Sequence, residues 1–167
     1  FRKDVDAHLG RKDTKVELAG QLETDVVRRY FTINALALDP INNQLIDYVG
    51  GLEDLRNGVI RFVGDPVQRI AEDPLRILRA VRFRHRFGFT YVPTTNQAMQ
   101  EAIAAGRLEQ IPADRLRNEL TTLLTPSSRR QALEDLEQLG ALDRLLPELI
   151  ACRGVEQSPD VHAEGDV

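Results

Sequence analysis

In the stretch EDPLRILRAVRFRHRFGF, residues 72–89, Asp73 stands three positions ahead of Arg76, and Arg79, Arg82, Arg84 and Arg86 follow among large apolar residues. At about 100° per residue of helix, Arg76, Arg79, Arg82 and Arg86 fall within roughly a third of the circumference, with Leu78 and Val81 outside that arc. One face is basic and another is core. Guanidiniums this close repel one another unless anions sit among them, and their planar forks of N–H donors match phosphate oxygens. Asp73, one turn before Arg76, orients that arginine, and the two offer an acceptor and a donor together to a flat polar edge such as a nucleobase. From charge pattern alone, a solvated face with a salt bridge or two accounts for the same residues, and such pairs contribute only about 0–1 kcal/mol. Arginine in place of lysine at every one of these positions favours phosphate.

A second constellation lies in VVRRYFTINALALD, where Arg28 and Arg29 share a predicted helix with Asn34. Cations and a side-chain amide in that order suit phosphate and sugar hydroxyls. Taken alone, exposed arginines and a satisfied interior amide explain the stretch as well.

The elements that must position these residues follow from periodicity and punctuation. FRKDVD and TKVEL are short strand candidates joined across HLGRKD. Residues 22–38 have apolar positions at helical spacing, with Thr24 or Asp25 able to cap them. DPINNQ is a turn, QLIDYV a strand, Gly50 and Gly51 a second turn before LEDLRNG, and VIRFVG a strand. After Asp65 the pattern is helical, over 66–71, 74–87, 94–105, 112–124 and 127–139, with Gly140 as a stop and no strand expected. The reading is an α+β chain: the end of a mixed sheet domain over 1–64, an all-helical part over 65–150, and a tail over 151–167 leading into a further domain.

The 167 residues carry 22 Lys plus Arg against 26 Asp plus Glu, a formal net charge of −4. Affinity for nucleotide or nucleic acid must therefore come from a local basic patch. The single cysteine, Cys152, excludes a disulfide framework and points to a reducing, cytoplasmic setting. No apolar run approaches the roughly 18–20 residues that span a bilayer, so no membrane partner is expected. The opening FRKDV and the closing VHAEGDV read as the ends of a fragment.

Taken in order, RRYFTINALALD, DYVGGLEDLRNGVIRFVGDP and EDPLRILRAVRFRHRFGF resemble the class II tRNA nucleotidyltransferase and bacterial poly(A) polymerase family. Its pattern is RRDFTINA, then D…GG…DL…IR, then EDPLRILRA.RF, and the likeness covers residues 23–89. The resemblance implies the end of a nucleotidyltransferase head followed by a helical neck and body. It also implies template-independent addition of nucleotides to RNA 3′ ends. CCA addition to tRNA from CTP and ATP is the first reading, with poly(A) addition or a non-catalytic RNA-binding module as alternatives. It further implies that Asp73 and Arg76 pair with the base edge, that Arg79 and Arg82 line the nucleotide and its triphosphate, and that Arg29 and Asn34 contact the nucleotide. Arg28 and Tyr30 belong to the same segment. DYVGGLEDLRNGVIR resembles a flexible connector between head and neck.

One departure matters: Tyr30 stands where the family has aspartate, and a neutral phenol lacks the carboxylate's two acceptors for ribose hydroxyls. The family's transfer chemistry uses Mg²⁺ held by a DxD motif after a glycine-rich loop. Both are expected before Phe1, so no catalytic or metal residue is assigned here, and the chain alone is expected to be inactive. Asp4 and Asp6 share the DxD spacing but are not assigned to it, because a strand of this kind follows the metal strand. His162, Glu164 and Asp166 in HAEGD are read as a solvated tail.

Overall fold

The computed structural model describes residues 22–155, and the backbone of two short strands before them. Those strands, β1 (Arg2–Asp4) and β2 (Val16–Leu18), pair antiparallel with Lys3 opposite Glu17, in line with the two opening strand candidates. Asp6 and the segment holding His162, Glu164 and Asp166 lie outside the described residues, as does the side chain of Asp4.

The helix expected over 22–38 is not continuous. Helix α1 stops after Leu22–Val26, Phe31 turns extended (φ −118°, ψ 150°) and bridges Phe62 antiparallel, and Thr32–Asn34 make one tight turn. Ala37–Asp39 (β3) then pairs with Gln44–Ile46 (β4) in a hairpin that sets Leu38 opposite Leu45. The reason is tertiary. Phe31 is fully buried, its ring 5.1 Å from Phe62 and 5.7 Å from Phe83, and a helix through residue 31 could not make the bridge that places it there. The alternation of Ala and Leu over residues 35–38 fits either period, so the sequence pattern offered no objection.

Helix α2 (Gly51–Asn57) and the short strand β5 (Val59–Ile60) follow. Beyond residue 65 the helices are α3 (Pro66–Glu72), α4 (Leu75–Phe87), α5 (Pro93–Ala104), α6 (Ala113–Leu124) and α7 (Arg129–Gln138), each near its expected span. Two short helices, α8 (Leu142–Leu145) and α9 (Pro147–Ala151), complete the described chain. Local rules account for several ends: Asp65 accepts from Val67 N at 2.9 Å with proline in the first turn of α3, and Gly88 closes α4 at φ 69°. The expectation of no strand after residue 65 is corrected by β6 (Thr90–Tyr91), which runs parallel to β5. Thr90 N donates to Gly58 O and Val92 N to Ile60 O, so the chain leaving α4 satisfies its backbone on the edge of β5.

Val26, Ala35 and Val63 form the smaller of two buried clusters; the larger runs across residue 65, where Phe31, Ile60 and Phe62 join Ile70, Leu78, Val81, Met99 and Leu136. Helix α4 is its centre, with Ile77, Leu78, Ala80 and Val81 at 0% exposure, and it packs on α3, α6 and α7. Its far end is tied down by Asp135 of α7. That buried carboxylate accepts from Arg84 Nη1 (2.6 Å) and Tyr91 Oη (2.6 Å) and lies 3.0 Å from His85 Nε2. Burial and the charge of Asp135 push the Tyr91 phenol well above its usual range, so it remains the donor in that bond.

Candidate nucleotide-binding site

Asp73 sits between α3 and α4 in extended conformation (φ −156°, ψ 94°). Its Oδ1 accepts from Leu75 N at 3.3 Å and its Oδ2 from Arg115 Nη2 at 2.8 Å, so the carboxylate is fixed from its own helix start and from α6. Arg76 is held as firmly. Its Nη1 donates to Arg69 O (2.6 Å) and to Glu72 Oε2 (2.8 Å), while its Nε is buried without a hydrogen-bond partner. Glu72 also pairs with Arg69 Nη2 at 3.0 Å, and Arg69 Nη1 reaches back to Val27 O at 3.2 Å. The Asp73–Arg76 pair is thereby tied to the segment that carries Arg28, Arg29 and Tyr30.

Further along α4, Glu119 of α6 takes the next two arginines: Arg82 Nε donates to Oε1 at 2.5 Å, and Arg79 Nε lies 3.6 Å from Oε2. The Arg79 guanidinium also lies 5.3 Å from the Tyr30 ring centroid. Tyr30 is half-buried, edge-on to Phe31 at 4.9 Å and to Phe83 at 6.1 Å. The anions that clustered guanidiniums require therefore come in part from the protein itself, through Glu72 and Glu119. Glu119 is approached by Nε in both cases, as a hydrogen bond from Arg82 and as a looser ion pair from Arg79, which leaves the terminal N–H groups of both arginines for other acceptors.

The structure sets Asp73 with Arg115, Arg76 with Glu72 and Arg69, and Arg79 and Arg82 with Glu119 and Tyr30, as three bonded groups in succession along the start and length of α4, but it does not draw in the rest of the expected set. Arg29 turns to Asp25 in an exposed pair at 2.7 Å. Arg28 is half-buried beside it. Asn34 lies in the Thr32–Asn34 turn with its Oδ1 buried and unpartnered.

Sequence reasoning missed Glu72, Arg69, Arg115 and Glu119 as members. One signal was present: in ADRLRNEL, Arg115 and Glu119 are four apart on an amphipathic helix, yet Arg115 bonds to Asp73 just ahead of α4, Glu119 to Arg82 within α4, and neither to the other.

The segment expected as a flexible connector is closely bonded. Asp54, 5% exposed, accepts from Thr32 Oγ1 at 2.6 Å and from Arg61 Nε at 3.0 Å. A Cβ on Gly51 would come within 2.2 Å of Thr32 O, which explains a glycine there. Asp47 accepts from the N–H groups of Val49, Gly51 and Leu52. Burial raises the Asp47 carboxyl, but these backbone donors outweigh it and hold it below the usual carboxylate range.

Two family models match the chain: one described as poly A polymerase head domain over residues 1–61, and one described as the probable RNA and SrmB-binding site of polymerase A over residues 88–152. A multifunctional CCA protein of Xylella fastidiosa is 42% identical over 148 residues, covering 87% of this chain and 35% of that protein. The chain belongs to the tRNA nucleotidyltransferase and poly(A) polymerase family. Among solved members, the Thermotoga maritima CCA-adding enzyme complexed with tRNA superposes with a TM-score of 0.71 at 37% identity, over 76% of this chain and 31% of that one. The Bacillus stearothermophilus CCA-adding enzyme in complex with CTP gives 0.70 at 39% identity, over 75% and 31%. The chain thus spans about a third of the length of the curated relatives it matches. Its α+β architecture is that of the family's head and neck, with the head match ending at β5 and the RNA-binding match beginning at the end of α4.

Proposed function

We propose that this chain is the nucleotide-selecting and RNA-binding part of an enzyme that adds CCA, from CTP and ATP, to tRNA 3′ ends. The observation that carries the reading is the fixed Asp73–Arg76 pair: a carboxylate held by Arg115 beside a guanidinium held by Glu72 and Arg69 O. Cytosine and adenine each present an amino donor next to a ring-nitrogen acceptor on their pairing edge, whereas uracil and guanine present a ring N–H beside a carbonyl. An acceptor–donor pair on the protein therefore suits the first two bases and opposes the others. Because the pair is braced before any ligand arrives, little ordering remains at binding. Among the described residues Arg76 Nη2 carries no bond, which leaves it for the base.

In this reading Arg79 and Arg82 hold the triphosphate through their terminal N–H groups, with Arg28, Arg29 and Asn34 nearer the sugar and phosphates. Tyr30 takes the family aspartate's place under Arg79. Residues 1–64 form the end of the head and residues 65–150 the neck and body. Mg²⁺ would activate the attacking hydroxyl and neutralise charge on the phosphates. Among the described residues no group of three or more His, Cys, Asp or Glu could hold a metal ion. Among them, too, no helix is long and apolar enough to cross a membrane. We place the protein in the cytoplasm, with its tRNA.

Binding of the four nucleoside triphosphates to the chain by calorimetry, followed by end-labelling of tRNA lacking CCA with the longer protein, tests this. CTP and ATP should bind at least about tenfold more tightly than GTP and UTP, a difference of about 1.4 kcal/mol. Equal binding of all four would refute it, and labelling with ATP alone would shift the reading to poly(A) addition.

A further inference from the structure

At the end of α4 remote from Asp73, a cleft of about 270 Å³ opens between α4 and the turn joining α6 to α7. Arg82, His85 and Arg86 wall one side, and Thr122, Pro126 and Ser128 the other. At about 1.5 Å per residue of helix, it lies roughly 14–20 Å along the axis from Asp73 and roughly 9–15 Å from Arg76.

The cations of this half of α4 are neutralised unequally. Arg84 and His85 share Asp135, and Arg82 is pinned by Glu119 through Nε alone. Arg86 is exposed and faces no carboxylate among the described residues; its guanidinium lies 5.6 Å from the Phe87 ring centroid.

The opposite wall adds to the positive field. Helix α7 opens on Ser128, Arg129 and Arg130, with no acid in its first turn and no side-chain cap bond from Ser128. Arg130 is paired along the helix with Glu134 at 3.0 Å, which leaves Arg129, next to Ser128, as the cation that opposes the dipole at this wall. Leu123 and Ala132, both buried, supply an apolar floor. The Arg86 guanidinium, the Ser128 hydroxyl and an apolar floor describe a seat for a phosphate with its sugar, with Arg82, whose terminal N–H groups face the triphosphate in the reading above, adding only to the positive field.

We propose that this cleft holds a backbone phosphate of the RNA substrate, upstream of the 3′ end presented at Asp73. The proposal rests on the RNA reading above, and the cleft wall contributed by α6 and α7 lies inside the segment matched by the RNA-binding family model.

The test is binding of the chain to labelled tRNA across a KCl series, with Arg86→Ala, Arg86→Glu and, as a control on α2, Arg56→Ala, alongside CTP binding by each. Arg86→Ala should lower RNA affinity about 3–10-fold and flatten the log–log salt slope by about 0.7–0.9, the signature of one lost phosphate contact. Arg86→Glu should lose more. Arg56→Ala should change neither quantity, and CTP affinity should be the same in all four proteins. An unchanged slope in both Arg86 variants overturns the inference while leaving the nucleotide reading intact. Arg86-dependent binding of inorganic phosphate with Arg86-independent RNA binding also overturns it, by assigning the cleft to a free anion. Absence of RNA binding in the unmodified chain overturns it together with the RNA reading. An Arg86-dependent slope in a chain that binds no CTP supports the cleft and sinks the nucleotide reading.

Discussion

Replacing Arg115 with alanine removes the α6 donor that fixes Asp73 and touches nothing else in the network. The bond is 2.8 Å long between side chains 31% and 18% exposed, so solvent screens it in part. A partly screened, charge-assisted bond of this kind contributes about 1–1.5 kcal/mol. If that energy goes into orienting the carboxylate for the base, CTP and ATP affinity should fall about 5–12-fold. RNA affinity should hold, and the thermal midpoint should move little, because Arg115 is half-exposed. Calorimetric titration of Arg115→Ala, Asp73→Ala and the double variant separates orientation from general damage. Once Asp73 is gone, removing Arg115 should cost less than about twofold, since there is no carboxylate left to orient. An undiminished CTP affinity in Arg115→Ala would refute the bracing argument. So would an equal loss from Arg115→Ala in the presence and absence of Asp73.

Tyr30→Asp exchanges a ring against Arg79, worth about 0.5–1 kcal/mol at a partly exposed site, for a carboxylate able to accept from ribose hydroxyls. Competition between CTP and dCTP should show a stronger preference for CTP in the variant; an unchanged preference means that position 30 does not face the sugar or that the phenol serves there. The family resemblance assigns no metal-binding carboxylate to this chain, so the chain by itself should transfer no nucleotide to tRNA at any Mg²⁺ concentration, and incorporation by rigorously purified chain would bring Asp4 and Asp6 back into question. Asp47 has a carboxyl pKa below its unfolded value, so its contribution to stability is complete above about pH 4 and is lost as pH falls through the folded value. The stability difference between the parent and Asp47→Asn, followed by denaturant midpoint, should therefore shrink on acidification from pH 6 to about pH 3, and a constant difference would contradict that.

What the sequence disclosed was what local periodicity controls. Helix α4 was legible from the helical spacing of Ile77, Leu78 and Val81 between Pro74 and Gly88, although Phe83 lies among the arginines and Arg84 on the core side, and Asp73 and Arg76 stood out by spacing and by resemblance to the family motif. Phe31 was not legible: its helix-compatible neighbours hid that it leaves the helix to bridge Phe62 and reach Phe83, contacts made far along the chain. The same limit hid the partners of the site. Arg115 reaches Asp73 from 42 residues away and Glu119 reaches Arg82 from 37, distances over which no pattern in one sequence reports pairing. In the connector, the two glycines read as a turn and the family resemblance implied flexibility, whereas Gly51 is there because Thr32 O leaves no room for a Cβ and Asp54 joins both flanks.

The central claim is that Asp73 and Arg76 together read the base. The direct measurement is the ratio of CTP and ATP to GTP and UTP binding in the parent, in Asp73→Ala and in Arg76→Ala, with tRNA affinity followed in the same proteins. Both substitutions should bring the ratio toward one while tRNA affinity stays within about twofold. Nucleotide selectivity unchanged in both variants, or a loss of tRNA affinity as large as the loss of selectivity, would contradict the assignment.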